Sequence, residues 1–206
     1  MHIPDGLISD PIQLGIYSVI YIILMIILLN KFKKNHTEKD LPAIALFAAA
    51  ILIVQLIEIP LPVPACVHIS LITVMALYDL ESSVLVYTIV TVAQAFLGEG
   101  GVSTMGINLL NLAIFAPFIA YYIYQFIKRY DKNLALFLSG FATITILGII
   151  ASIEYAIAGT YPITFGLTVI TPIEMIVGVL EGLVTIFVMN ALNKVKPELV
   201  PALNEG

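Results

Sequence analysis

Charge is scarce in this sequence. Asp, Glu, Lys and Arg together make up 11% of 206 residues, against 60% hydrophobic side chains. A soluble domain carries about a quarter charged residues. A water-facing globule is therefore excluded, and residues 1–206 read as one integral-membrane unit. Lysine and arginine number nine against fourteen acids, a net charge of -5. That excludes a nucleic-acid surface, which needs clustered cations. The single Cys66 excludes an intramolecular disulfide. In its apolar setting it reads as a small core filler, with a soft-ligand role open because His68 follows two residues later. Tryptophan is absent, so tyrosine must supply any aromatic belt. No His-Glu-x-x-His, Gly-x-Ser-x-Gly or nucleotide-binding pattern occurs, and so neither hydrolysis nor an ATP site on this chain is expected.

What is abundant is apolar sequence. Seven runs stand out, at roughly 12–30, 42–59, 66–78, 83–97, 107–127, 134–158 and 173–193. About 20 apolar residues are needed to span the hydrocarbon core. Five runs meet this; the third and fourth are short and either both cross or both dip in and return. We expect an all-α polytopic protein with about seven transmembrane helices, because the fourth run is apolar throughout. All nine basic residues fall in three places: Lys31, Lys33, Lys34 and Lys39; Lys128, Arg129 and Lys132; Lys194 and Lys196. The positive-inside rule assigns these to the cytoplasm. The N-terminus is then outside, the segment 31–40 is a cytoplasmic loop with an exposed His36, and 194–206 is a frayed cytoplasmic tail. Asp79 and Glu81 mark an inner turn. The outer face carries residues 1–10, 60–65, 98–106 and 159–172, with Asp5, Asp10, Glu58 and Glu99 as an entrance attractive to cations.

The opening Met1-His2-Ile3-Pro4-Asp5-Gly6 is the chemically rich stretch. It lacks the basic region of a cleavable signal, and the bulky His2 side chain should keep Met1 in place. A free Met1 amine, the His2 amide and the His2 ring can then close two chelate rings on one ion. Three nitrogens in a plane suit Ni(II) or Cu(II). The best fourth nitrogen is His68, which follows the proline run 60–64, a stretch that cannot continue a helix. Irregular backbone at membrane depth commonly builds a binding site. An ordinary His2 at a loose terminus and a core His68 bonded to a carbonyl stay open as alternatives. In the Gly-rich stretch 98–108, Ser103, Thr104 and Asn108 read as residues that orient neighbours. Glu154 and Glu181 are functional candidates because intramembrane carboxylates are costly. Gln94 and Asn111 read as polar glue, and Gly140 and Gly148 as close-packing surfaces.

These motifs resemble the CbiM/NikM family, the substrate-binding membrane subunits of cobalt and nickel energy-coupling-factor transporters. The opening is similar to its Met-His-Ile-x-Asp-Gly. Gly100-Gly101-Val102-Ser103-Thr104-Met105-Gly106-Ile107-Asn108 is similar to its Gly-Gly-Leu-Thr-Thr-Leu-Gly-x-Asn. Ala116-Pro117-Phe118-Ile119-Ala120-Tyr121 and Pro172-Ile173-Glu174 with Glu181-Gly182-Leu183 match further segments. The resemblance implies a seven-helix bundle with the N-terminal segment folded into its centre. It implies a site for transported Co(II) or Ni(II) made by Met1, His2 and His68, supported by Ser70, Gly100, Gly101, Ser103, Thr104 and Asn108. It also implies a cell-membrane location and, as partners, a transmembrane coupling subunit, two cytoplasmic ATPases and in some systems a small accessory membrane protein. The family pattern around the second histidine is Ser-x-x-His-Pro-Thr-Gly; here Ile69 and Leu71 stand at the Pro and Gly positions, which leaves that loop's geometry open. Two rival functions stay in view. One is a subunit of the same transporter class that binds a small organic molecule such as a vitamin, and the other is an intramembrane enzyme using Glu154 and Glu181.

Overall fold

The computed structural model describes residues 2–57, 59–60 and 66–204, with backbone only at 59, 60, 66 and 67. The Met1 amine, Glu58, the Cys66 side chain and prolines 62 and 64 lie outside the described part of the chain. Among the described residues, seven helices carry the fold: α1 (Pro11–Asn35), α2 (Leu41–Gln55), α3 (Ile72–Tyr78), α4 (Leu80–Leu97), α5 (Met105–Ile127), α6 (Lys132–Ile157) and α7 (Ile163–Val195). Five of them, α1 and α4 to α7, are long and apolar enough to cross a membrane. With 15 and 7 residues, α2 and α3 extend only about 22 Å and about 10 Å.

The helix starts follow from local chemistry. Pro11 opens α1, where its missing N–H costs nothing, and the Asp10 carboxylate accepts from Ile12 N at 3.1 Å. Asp79 and Asp131 cap α4 and α6 by accepting from Ser82 N and Leu134 N, both at 2.6 Å. The outer side of α1 is a stripe of exposed Ile16, Val19, Ile23, Ile26 and Ile27, as a lipid-facing helix requires. Helices α6 and α7 pack in backbone contact. A Cβ added at Gly140 would lie 2.9 Å from the Gly182 Cα, so both glycines permit backbone contact.

Two π-turns interrupt the helices, at Leu110–Phe115 in α5 and Gly166–Ile170 in α7. Each ends two residues before a proline, Pro117 and Pro172. A helical proline clashes with the carbonyl four residues back, here Ala113 and Thr168. Both carbonyls fall inside the widened turn, which gives the ring room.

Several expectations need correcting. The 159–172 stretch is not an outer loop throughout, because α7 already begins at Ile163. Thr, Gly and Pro there look like loop signals, yet the π-turn absorbs them. The third apolar run is helical only from Ile72. Before it, Cys66–Val67 pairs antiparallel with Ile59–Pro60, in register Ile59 to Val67. Nor is the tail frayed: Pro197–Leu199 and Pro201–Asn204 form short helical turns. Val200, Ala202 and Leu203 are buried against Leu77, Tyr124, Leu136 and Met189, and Tyr124 Oη donates to Ala202 O at 3.1 Å. His36 is not merely exposed either. Its ring stacks on Phe32 with centroids 4.2 Å apart, and Nε2 lies 3.1 Å from Asp79.

The basic residues gather at one end. Lys31 and Asn35, ending α1, meet Glu81 at 2.8 and 2.9 Å, and Lys132, opening α6, donates to Leu203 O at 2.7 Å. Residues 2–10 and the Gly-rich loop lie at the opposite end.

Candidate metal centre

The N-terminal segment is threaded into the bundle and held there by a peptide-like clasp. Asn108, on α5, accepts from Ile3 N at 2.8 Å and donates to Ile3 O at 2.9 Å. Thr104 Oγ1 donates to the same carbonyl at 2.6 Å. The Asn108 amide thus satisfies both polar groups of Ile3, whose side chain is 2% exposed. Such groups must be paired once buried. Farther along, Asp5 accepts from Val102 N (3.1 Å), Ser103 N (2.8 Å) and Ser103 Oγ (2.5 Å). Those donors hold its carboxyl below the usual range, the Ser103 hydroxyl contributing most. Thr160 donates to Leu7 O, and Ile8 is fully buried. The N–H of the His2–Ile3 peptide is used by Asn108, and the preceding amide, that of His2, is not part of the clasp.

Glycine makes the clasp possible. A Cβ at Gly101 would overlap Asp5 Oδ1 and Thr104 Oγ1, and one at Gly100, where φ is +82°, would come within 3.1 Å of His2 Cβ. Both positions need the absence of a side chain.

His68 arrives from the other side of the centre. Its loop is pinned by Ser70, whose N–H donates to Glu181 Oε2 at 2.8 Å. The Ser70 carbonyl accepts from Gln55 Nε2 at 2.8 Å and Tyr87 Oη at 2.5 Å. Leu71 takes φ +57°, the left-handed region that the family pattern fills with Gly. Left-handed backbone costs a non-glycine residue about 1–2 kcal/mol, here set against apolar contact with the core. Leu71→Gly should therefore melt, in detergent, within about 1 kcal/mol of the parent. Leu71→Val, with a β-branch at positive φ, should be destabilised by about 1–3 kcal/mol.

The two imidazoles meet with centroids 5.5 Å apart and planes 16° from parallel. Donor atoms of His2, His68 and Glu99 all lie within 4.8 Å of one another. His2 Nε2 and His68 Nδ1 are buried and have no hydrogen-bond partner among the described residues. Burial pushes both rings below the ordinary histidine range, His68 to about 3. Both are then neutral at physiological pH and carry the lone pairs that a metal takes. They line a cavity of about 30 Å³ with Gln55, Ser70, Tyr87, Gln94 and Glu174. That volume holds one water-sized body.

The sequence-predicted residues largely converge here. His2 and His68 are in the centre, and Ser70, Gly100, Gly101, Ser103, Thr104 and Asn108 build its supports. Glu99 beside the two histidines and Gln94 in the cavity wall were not expected: an acid beside a glycine loop reads as an entrance charge, and a lone Gln in a span as glue. Glu154 and Glu181 do not line the cavity. Asn111 Nδ2 donates to Glu154 at 2.9 and 3.1 Å, and Glu181 secures the His68 loop.

These features define an integral-membrane protein of membrane-length helices closed around a site the size of a single metal ion. The CbiM family, described as the cobalt uptake substrate-specific transmembrane region, matches residues 2–199, and this chain belongs to it. Among relatives, a putative fused nickel transport protein NikMN from Archaeoglobus fulgidus is 27% identical over 97% of this chain and 68% of its own length. The cobalt transport protein CbiM of Acetoanaerobium sticklandii is 28% identical over 96% of this chain and 86% of its own. A crystal structure of a transition metal transporter superposes with a TM-score of 0.85 at 24% identity, covering 98% of this chain and 96% of that one. It shows the same fold.

Proposed function

We propose that this chain is the substrate-binding membrane subunit of an energy-coupling-factor importer for Co(II) or Ni(II). The Met1 amine, the His2 amide and ring, and the His68 ring bind the ion. The observation that carries this reading is the stacking of two imidazoles from positions 2 and 68 over a one-ion cavity, each with one buried ring nitrogen that has no hydrogen-bond partner among the described residues. A vitamin needs a pocket of about 300–1,000 Å³, far above the 30 Å³ present. The ion enters from the outer face and sheds its water. It displaces protons from the amine and amide, a requirement of nitrogen donors. Oxygen-seeking Mg(II) and Ca(II) are refused by this donor set. With the three basic groups inside, the N-terminus faces out and the C-terminal segment faces the cytoplasm. There the packed tail meets a coupling subunit and two ATPases in the cell membrane.

The test is calorimetric titration of the purified chain with NiCl₂ and CoCl₂, beside a form carrying one extra residue ahead of Met1. The parent should bind one ion tightly. The extended form loses the amine chelate ring and should bind about 100-fold more weakly or worse, from the roughly 3 kcal/mol carried by each ligand of a four-ligand site. Equal affinity in the two forms would refute the assignment.

A further inference from the structure

We infer that Glu99 is an oxygen donor to the transported ion and tilts the site toward Co(II) over Ni(II); this rests on the function proposed above. Among the described residues, Glu99 is the one carboxylate whose oxygen joins the His2 and His68 nitrogens in a single cluster. Three atoms no more than 4.8 Å apart share a point within about 2.8 Å of each (4.8 Å divided by the square root of three). Metal–nitrogen and metal–oxygen bonds to a first-row ion are about 2.0–2.2 Å. Each donor thus has less than about 1 Å to close, a distance that side-chain rotation supplies. The cluster is already one ion's coordination shell, slightly opened.

Glu99 is also aimed. Gln94, just over one turn earlier and on α4, donates its Nε2 to Glu99 Oε2 at 2.8 Å. Gln94 is itself 1% exposed and lines the same cavity as both histidines. An amide fixing one carboxylate oxygen beside a metal is a common way to orient a ligand. The carboxylate sits immediately before Gly100, whose missing Cβ lets the loop approach His2. Glu174 also lines the cavity, but from α7, and it is not part of the close cluster.

Charge gives a reason for a carboxylate here. A divalent ion bound by one deprotonated amide and otherwise neutral nitrogens keeps a net positive charge in an enclosed cavity, where the only acid lining it among the described residues, Glu174, lies outside the close cluster. Buried, uncompensated charge is strongly unfavourable. One carboxylate ligand makes the complex neutral. Selectivity follows from geometry. A planar four-nitrogen set satisfies Ni(II) without help. An added oxygen makes the shell five-coordinate, which Co(II) accepts readily and square-planar Ni(II) does not need.

Parent protein and Glu99→Gln, each with its native start, are titrated with CoCl₂ and with NiCl₂, and visible spectra are recorded for the loaded forms. Gln keeps the shape and still accepts from Gln94. Glu99→Gln should lose roughly tenfold or more in Co(II) affinity and change by less than about threefold for Ni(II). The d–d bands of the cobalt form should shift as the oxygen is lost. Unchanged spectra, an unchanged cobalt-to-nickel ratio or an equal loss for both ions would overturn the inference while leaving the function standing. A parent that binds neither ion would instead remove the function itself. If Glu99→Gln does not melt cooperatively, Glu99→Asp, which withdraws the carboxylate by one methylene, is read by the same ratio and bands.

Discussion

Replacing His68 with alanine should weaken Ni(II) and Co(II) binding by about 100-fold or more while leaving the helices in place. Tetradentate protein sites bind a divalent transition metal with about 10–16 kcal/mol, or roughly 3 kcal/mol per ligand, and each 1.4 kcal/mol is tenfold in affinity. His68 is also replaceable without collapse. Its buried Nδ1 has no partner among the described residues, so removing the ring strands no hydrogen bond there, and the loop stays fixed through Ser70 and Glu181. Circular dichroism and a detergent melt should match the parent while calorimetry does not. Wild-type affinity in His68→Ala would show that the second imidazole is not a ligand and would leave the ion to the N-terminal chelate alone.

The second large effect is expected at Gly101, which cannot touch the ion. An added methyl there would occupy the space of the Asp5 carboxylate and the Thr104 hydroxyl. Gly101→Ala should therefore free the clasp: Asp5 loses its donors in the loop, and Thr104 is pushed off the Ile3 carbonyl. With the first residues undocked, His2 no longer faces His68. Affinity should fall about 10- to 100-fold, as when a ligand's supports are removed. Gly15→Ala is the control, because a Cβ there meets nothing within 4 Å. Calorimetry on both variants decides the matter. If Gly101→Ala binds like Gly15→Ala, the N-terminal segment is held by something other than this contact.

How far the sequence foretold this arrangement depends on the scale of the signal. The long apolar runs of α1, α5 and α6 were legible because lipid demands apolar length whatever the neighbours. Met1, His2 and His68 could be named as candidate nitrogen donors from chemistry alone, and the structure brings the His2 and His68 rings together. Asn108 and Thr104 could be named as orienting residues, although nothing local says that their partner is the Ile3 backbone over a hundred positions away. The misses have local causes. Pro172 and Gly166 read as a break, because a π-turn leaves no periodic mark. The tail carries Pro197 and Pro201 and too few apolar residues to announce the pocket made by Tyr124 and Met189. Glu99 looked like an entrance charge because its neighbours in sequence are glycines; its neighbours in space are histidines.

One helix links the two ends of the molecule. On α5, Asn108 grips the incoming segment, and four turns later Tyr124 grips the tail. Between them lies the π-turn of Leu110–Phe115, which sets the angular phase of one grip against the other. The widened turn closes its hydrogen bonds one residue later than an α-helix does, so excising a single residue from it would restore a regular helix there. Both grips therefore belong to one continuous helix, so a change in its tilt carries Asn108 and Tyr124 together.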